Sequence, residues 1–151
     1  MNGNGSVELN ATVEQVWAKI LDPEVLAECM MGCKELVLVE DGKYRADLAV
    51  GVAAVKGKYD ATIQLADVIE RKSYKLIVRG EGAPGFVEAE GLIELAPGED
   101  GSTTLTYTYT AEVGGKVASI GQRMLGGVAK LLITDFFKKL KKHVDKEQKT
   151  A

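Results

Sequence analysis

The sequence predicts an α+β fold: a curved antiparallel sheet of about seven strands wrapped around one long C-terminal helix, with two short helices after the first strand. Three observations lead there. From Gly115 to about His143 (GKVASIGQRMLGGVAKLLITDFFKKLKKH) the apolar residues Val117, Ile120, Met124, Val128, Leu131, Phe136 and Leu140 recur at helical spacing. At about 1.5 Å per residue such a helix is roughly 40 Å long, the width of a domain. From Cys33 to Val113 the period is two, with short connections that imply antiparallel neighbours. Finally, one strand face is apolar while the other carries Glu, Asp, Lys and Thr, so the sheet is wet on one side and covered on the other. A single long helix has to supply that cover. A sheet curved around it does so and leaves room at one end.

Each element has its own signal. Val7 and Leu9 alternate with Ser6, Glu8 and Asn10 as a first strand. Thr12 and Gln15 have the spacing of a capping box, opening a helix that carries Val13, Val16, Trp17 and Ile20. Asp22-Pro23 ends it and opens a second short helix to about Met30, stopped at Gly32. Leu36 and Leu38 begin the period of two, Asp41-Gly42 signals a hairpin, and Tyr44, Ala46, Leu48 and Val50 share the next apolar face. After Gly51, VAAVKG reads as a small-residue turn. Tyr59-Ala61-Ile63-Leu65, Tyr74-Leu76-Val78, Val87-Ala89-Gly91-Ile93-Leu95 and Leu105-Tyr107-Tyr109-Ala111-Val113 give the remaining faces, with Pro97 to Gly101 as a turn. Gly114-Gly115 releases the helix.

That helix contains Gly121, Gly126 and Gly127, each costing up to about 1 kcal/mol relative to alanine. Close approach of helix to sheet, an internal space left by the missing side chains, and a hinge are the available reasons.

The chain has 151 residues, 46% hydrophobic content and a net charge of −3, which suits one domain and leaves no nucleic-acid footprint. Residues 1–143 are expected to form that domain and 144–151 a polar basic tail. No apolar run is long enough to span a bilayer, and MNGNGSVEL lacks a signal pattern. The expectation is a cytoplasmic protein able to sit peripherally at the inner face of the cell membrane.

Several stretches together resemble a known group. VWAKILDPEVLAEC, MGCKEL, YRADLAVGVAAVKGKYDATIQLAD, GEGAPGFVEAEGLIEL and LTYTYTAEVGGKVASIGQRMLGGVAKLLITDFFKKL are similar to the carbon monoxide dehydrogenase CoxG family, within the SRPBCC superfamily of START and Bet v 1-like helix-grip folds. The family commonly has Pro-Gly-Cys at the helix-to-strand corner; Met31 stands here in place of the proline. The resemblance implies an apolar cavity between sheet and helix. It also implies an accessory role beside a molybdenum-dependent carbon monoxide dehydrogenase-type oxidoreductase at the membrane, with a lipid- or quinone-like ligand.

Candidate ligand-binding residues are Met30, Met31, Val50, Val52, Phe86, Val87, Ile120, Met124, Leu125 and Val128. Methionine suits apolar ligands of varied shape, but ordinary core is the competing reading for all of them. The tail sets Phe137 beside Lys138, Lys139, Lys141 and Lys142, with Lys146 and Lys149 further on. Such a basic amphipathic end can meet anionic lipid or an acidic partner, or can simply be a solvated helix end. Cys29 and Cys33 lack a second ligand pair for metal and read as free thiols; the one histidine, His143, reads as solvated. Glu88, Glu90 and Glu94 read as a solvated sheet surface, and GEGAPG lies between strands, not before a helix, so it is not a phosphate loop.

No catalytic residue, metal or cofactor is therefore expected. The leading expectation is a non-catalytic binding module for an apolar molecule. A small cyclase- or hydrolase-like enzyme is the alternative, with Tyr44, Tyr59, Tyr74, Tyr107 and Tyr109 on the apolar face as its only candidate acids. A purely structural assembly subunit is a further alternative.

Overall fold

The computed structural model describes residues 1–52 and 55–150, with side-chain surroundings through Asp145. Its elements run β1 (Asn2–Leu9), α1 (Val13–Ile20), α2 (Pro23–Cys29), β2 (Cys33–Glu40), β3 (Lys43–Val50), β4 (Gly57–Ile69), β5 (Ser73–Gly82), β6 (Gly85–Pro97), β7 (Thr103–Gly114) and α3 (Gln122–Thr150). Short 3₁₀ turns at Glu99–Gly101 and Lys116–Ile120 flank β7. Ala53 and Ala54, part of the small-residue turn expected after Gly51, lie outside the described residues.

The seven strands form one curved antiparallel sheet in the order β1-β7-β6-β5-β4-β3-β2. The first strand returns to pair with the last, so β1 and β2 are opposite edges, and α1 and α2 cross from one to the other. Their ends are fixed locally. Thr12 Oγ1 accepts from the Gln15 N–H at 3.3 Å while Gln15 Oε1 accepts from the Thr12 N–H at 3.0 Å. The Asp22 carboxylate caps α2 by accepting from the Glu24 N–H at 3.0 Å, with Pro23 in the first turn.

Register places Tyr44, Ile63, Val78, Ala89 and Ala111 in one row across β3 to β7, and Ala46, Ala61, Gly80, Val87 and Val113 in the next. These residues face inward. Outward neighbours such as Arg45, Asp60, Arg79, Glu88 and Glu112 are exposed, and Arg45 pairs with Asp60 at 2.8 Å.

The long helix departs from expectation at both ends. It begins at Gln122, not Gly115, because Gly121 sits at φ 91° and ends the preceding 3₁₀ turn. Val117 and Ile120 kept a helix-like spacing because a 3₁₀ turn also returns every three residues. At the other end α3 continues through Thr150, and Val144 is 1% exposed in the main core. The helix, with Val144 buried, runs across the expected boundary between domain and tail at 143/144.

Candidate functional site

Long α3 is held at its two ends by different groups of side chains. Its C-terminal half contributes Phe136, Phe137, Leu140 and Val144 to the main core, with Val16, Trp17 and Ile20 of α1, Val25 and Cys29 of α2, and Leu9, Tyr74, Leu95 and Leu105 of the sheet. Its N-terminal half contributes Leu125 and Val128 to a smaller core with Val50, Val52, Val55, Val113, Val117 and Ile120. A side chain sandwiched between helix and sheet ordinarily loses nearly all contact with solvent. Between the two cores burial is uneven: on the sheet, Tyr44, Ala46, Ala61, Ile63, Gly80 and Ala111 are buried. Leu132 and Ile133 of α3, and Leu48, Val78, Val87, Ala89 and Tyr109 of the sheet, are only half-buried and pack into neither core.

The residue types account for the gap. Ala46, Ala61 and Gly80 are register partners on β3, β4 and β5, and Ala89 and Ala111 are partners on β6 and β7, so the sheet floor is low. Above it, Gly126 is half-buried, yet a Cβ built there would meet no atom within 4 Å. Close approach of the helix backbone to the sheet is therefore excluded as the reason for Gly126. Gly127 is exposed and also meets nothing. The small floor residues went unrecognised in the sequence because an alanine or glycine on a strand reads as filler until register sets several side by side.

Val50, Val52, Ile120, Leu125 and Val128 come together in the smaller core, and Val87 lies beside Gly80 on the inner face, 3.4 Å from where a Cβ on Gly80 would stand. Met30 and Met31 are half-buried at the corner between α2 and β2. That corner is tightened by Gly32 at φ 76°, whose missing Cβ admits the Ala49 carbonyl. Phe86 requires a correction: it precedes Val87 on the same strand, so the two face opposite ways, and Phe86 is 46% exposed with its ring over Gly114. Met124 is also outside, 56% exposed. In the basic stretch, Phe137 is half-buried against the main core: it stacks on Tyr107 at 5.2 Å and meets Phe136 edge-on. Lys139 pairs with Asp135 at 2.8 Å, whereas Lys138, Lys141 and Lys142 are exposed. His143 is not simply solvated; its Nε2 lies 2.8 Å from Glu28 Oε2 and ties α3 to α2.

Tyr59 donates to the Val55 carbonyl at 2.6 Å, and burial raises its pKa. Burial raises that of Tyr74 much further, with Tyr44 nearby adding to it. The rings of Tyr107 and Tyr109 cover Gly5 and Gly3 of β1, occupying the space a Cβ would need, which directs their hydroxyls to the sheet edge. Both cysteines are free thiols. Burial, then Glu28, pushes Cys29 up to about 11; burial raises Cys33. Among the described residues no group of three or more His, Cys, Asp or Glu could hold a metal. An open concavity of about 760 Å³ lies elsewhere, between Thr12 to Glu14, Arg71 to Ser73 and Glu94 to Gly98, and its lining is of mixed charge. Among the described residues no helix is long and apolar enough to cross a membrane.

A curved antiparallel sheet gripping one long C-terminal helix is the helix-grip fold of START-like proteins. The fold recurs in a START superfamily protein from Mycobacterium smegmatis at TM-score 0.76 and 16% identity, covering 96% of this chain and 97% of that one. It recurs again in the di-domain ARO/CYC BexL of the BE-7585A biosynthetic pathway, at TM-score 0.72 and 12% identity over 96% of this chain and 46% of that one. A conserved protein from Geobacillus kaustophilus is 64% identical with TM-score 0.94, covering 97% of this chain and 96% of that one. No curated protein matches. The family model for the carbon monoxide dehydrogenase subunit CoxG matches residues 5–145, and the chain belongs to that family.

Proposed function

We propose that this chain is a non-catalytic binding module that holds one apolar, lipid- or quinone-like molecule between α3 and the sheet. It would serve as an accessory factor, in membrane recruitment or maturation, for a molybdenum carbon monoxide dehydrogenase-type oxidoreductase. The observation that carries the reading is the half-buried apolar surface of Leu132 and Ile133 on α3 and of Leu48, Val78, Val87 and Ala89 on the sheet, which packs into neither core. An apolar guest would cover that surface and leave water at the same time, gaining about 25 cal/mol per Å² of apolar area removed from solvent. Neither inner-face row, from Tyr44 to Ala111 or from Ala46 to Val113, carries a charged side chain, so selection would rest on shape and apolarity, with few directional contacts. The family name supports the link to the dehydrogenase. Exposed Lys138, Lys141 and Lys142 support an approach to anionic lipid, at about 1 kcal/mol per lysine near the surface. The cyclase-like alternative has less behind it: the ARO/CYC neighbour shares the fold alone, and the candidate tyrosines are buried, bonded or turned to the sheet edge.

The test is uptake of a prenylquinone from phospholipid vesicles, read by mass spectrometry of the organic extract after separation. The wild-type chain takes up about one apolar molecule. Ile133→Trp, which fills the space from the helix side, lowers uptake about tenfold, equivalent to about 1.4 kcal/mol. Met124→Trp, on the exposed side, leaves uptake unchanged. Equal uptake by wild type and a folded Ile133→Trp variant refutes the reading.

A further inference from the structure

The side of α3 turned away from the sheet forms a second surface. At about 100° per residue, its exposed residues fall within one arc of about 120°, which runs about 30 Å from Arg123 to Lys142. The charged members of this arc, Arg123, Lys130, Lys138, Lys141 and Lys142, are all cations. Met124 and Leu131 lie among them two turns apart and are 56% and 49% exposed. Neighbouring carboxylates are already engaged: Asp135 with Lys139 at 2.8 Å, and Glu28 of α2 with His143 at 2.8 Å. The far side of the molecule has the opposite sign. Glu81, Glu88, Glu90, Glu94 and Glu112 stand on the outer face of β5 to β7, against Lys75 and Arg79. The net charge of −3 thus hides one cationic side and one acidic side.

We propose that this outer face of α3 docks on an anionic bilayer. The helix lies along the membrane plane, its cations at the level of the lipid phosphates, with Met124 and Leu131 dipping among the acyl chains. This extends the membrane approach proposed above from three C-terminal lysines to the whole helix; it rests on that part of the reading and not on ligand uptake. Charge complementarity selects an anionic surface, where each cation strengthens attachment about fivefold. Composition selects lipid over protein. Protein interfaces are depleted in lysine and enriched in arginine and aromatic residues, whereas this arc has four lysines to one arginine and, among the described residues, no aromatic side chain. Lysine stems also lie along apolar surface while their ammonium groups stay in water, which suits apolar residues set among charges at a bilayer surface. Two shallow apolar side chains make the attachment reversible.

Co-sedimentation of the full chain with quinone-free vesicles tests this. The wild type binds phosphatidylcholine vesicles containing phosphatidylserine at least about tenfold more tightly than phosphatidylcholine alone, and high salt weakens the binding. Arg123→Glu with Lys130→Glu, in the N-terminal half of the face, lowers affinity at least about tenfold, and so does Lys138→Glu with Lys141→Glu in the C-terminal half. Leu131→Ser keeps every charge and lowers affinity about fivefold. Fluorescence of Leu131→Trp is quenched by brominated acyl chains, whereas that of the wild type, with Trp17 buried, is not. All of the substituted positions are exposed, and an unchanged thermal unfolding midpoint confirms that each variant folds. Equal binding to neutral and anionic vesicles overturns the proposal, and so does no binding at all, even where an acidic protein covers the face instead. Full affinity in Arg123→Glu with Lys130→Glu overturns it too, leaving contact to the C-terminal lysines alone, as does full affinity in Leu131→Ser. Because these vesicles carry no quinone, a chain that docks on them but takes up no prenylquinone refutes ligand binding and keeps the membrane face, and the converse result does the reverse.

Discussion

At the residue scale, Cys29 shows how burial sets chemistry. Its side chain has no solvent contact, and its pKa is raised from 9.0 to about 11, first by burial and then by Glu28. The fold therefore favours the neutral thiol. The sign follows: in the unfolded chain the thiol ionises near pH 9.0, while in the fold it ionises near 11, so its stabilising contribution is complete below pH about 9 and lost as pH climbs toward about 11. Urea unfolding midpoints should fall between about pH 8.5 and about pH 10.5, and fall less steeply for Cys29→Ala. Identical pH dependence in the two proteins would contradict this account of Cys29. The same environment makes the residue a poor nucleophile or metal ligand at neutral pH, since both roles need the thiolate.

Other single residues show what a linear sequence can and cannot disclose. Alternation placed all the tyrosines on the inner face correctly, but not the reason for Gly3 and Gly5 in β1, which is that Tyr109 and Tyr107 lie over them. Phe86 and Val87 could not both line one interior, and strand parity alone separates them. Phe137 sits beside lysines in sequence and against Tyr107 in space; helical geometry turns it away from its neighbours.

At the scale of elements, α3 is the informative one. Gly126 and Gly127 weaken the helix without easing any contact, because a Cβ at either position meets nothing within 4 Å. Gly126→Ala and Gly127→Ala should each stabilise the protein, by up to about 1 kcal/mol in denaturant unfolding. Gly121→Ala should do the reverse, since its φ of 91° is one an alanine rarely adopts. A destabilised Gly126→Ala would show that the helix and sheet are closer together than this. The order of elements, the capping box at Thr12 and Gln15 and the strand faces were legible because each depends on neighbours within a few residues. The start of α3 was not legible: Gly121 is one glycine among several, and only its backbone angle distinguishes a helix stop from a helix interior. The exposed stretch of β2 was visible as a strand but not as an edge, since edges are decided by which strands pair.

At the scale of the whole molecule, the sheet floor and α3 meet firmly at two ends and poorly between them. Val50, Val52, Ile120, Leu125 and Val128, read in the sequence as ligand-binding candidates with ordinary core as the competing reading, gather as the small core that props one end of the helix. The proposed space would lie over Ala46, Ala61, Gly80 and Ala89, all small, and smallness in a sequence has no direction. Its meaning appears only when register aligns those positions beneath one helix. The measurement that tests this most directly is a crystal structure of the chain under xenon pressure, because xenon settles in apolar volumes that a protein leaves unfilled. The account predicts xenon between Val78, Val87 and Ala89 on the sheet and Leu132 and Ile133 on α3. An interior there packed by the chain's own side chains, with no xenon, would contradict it.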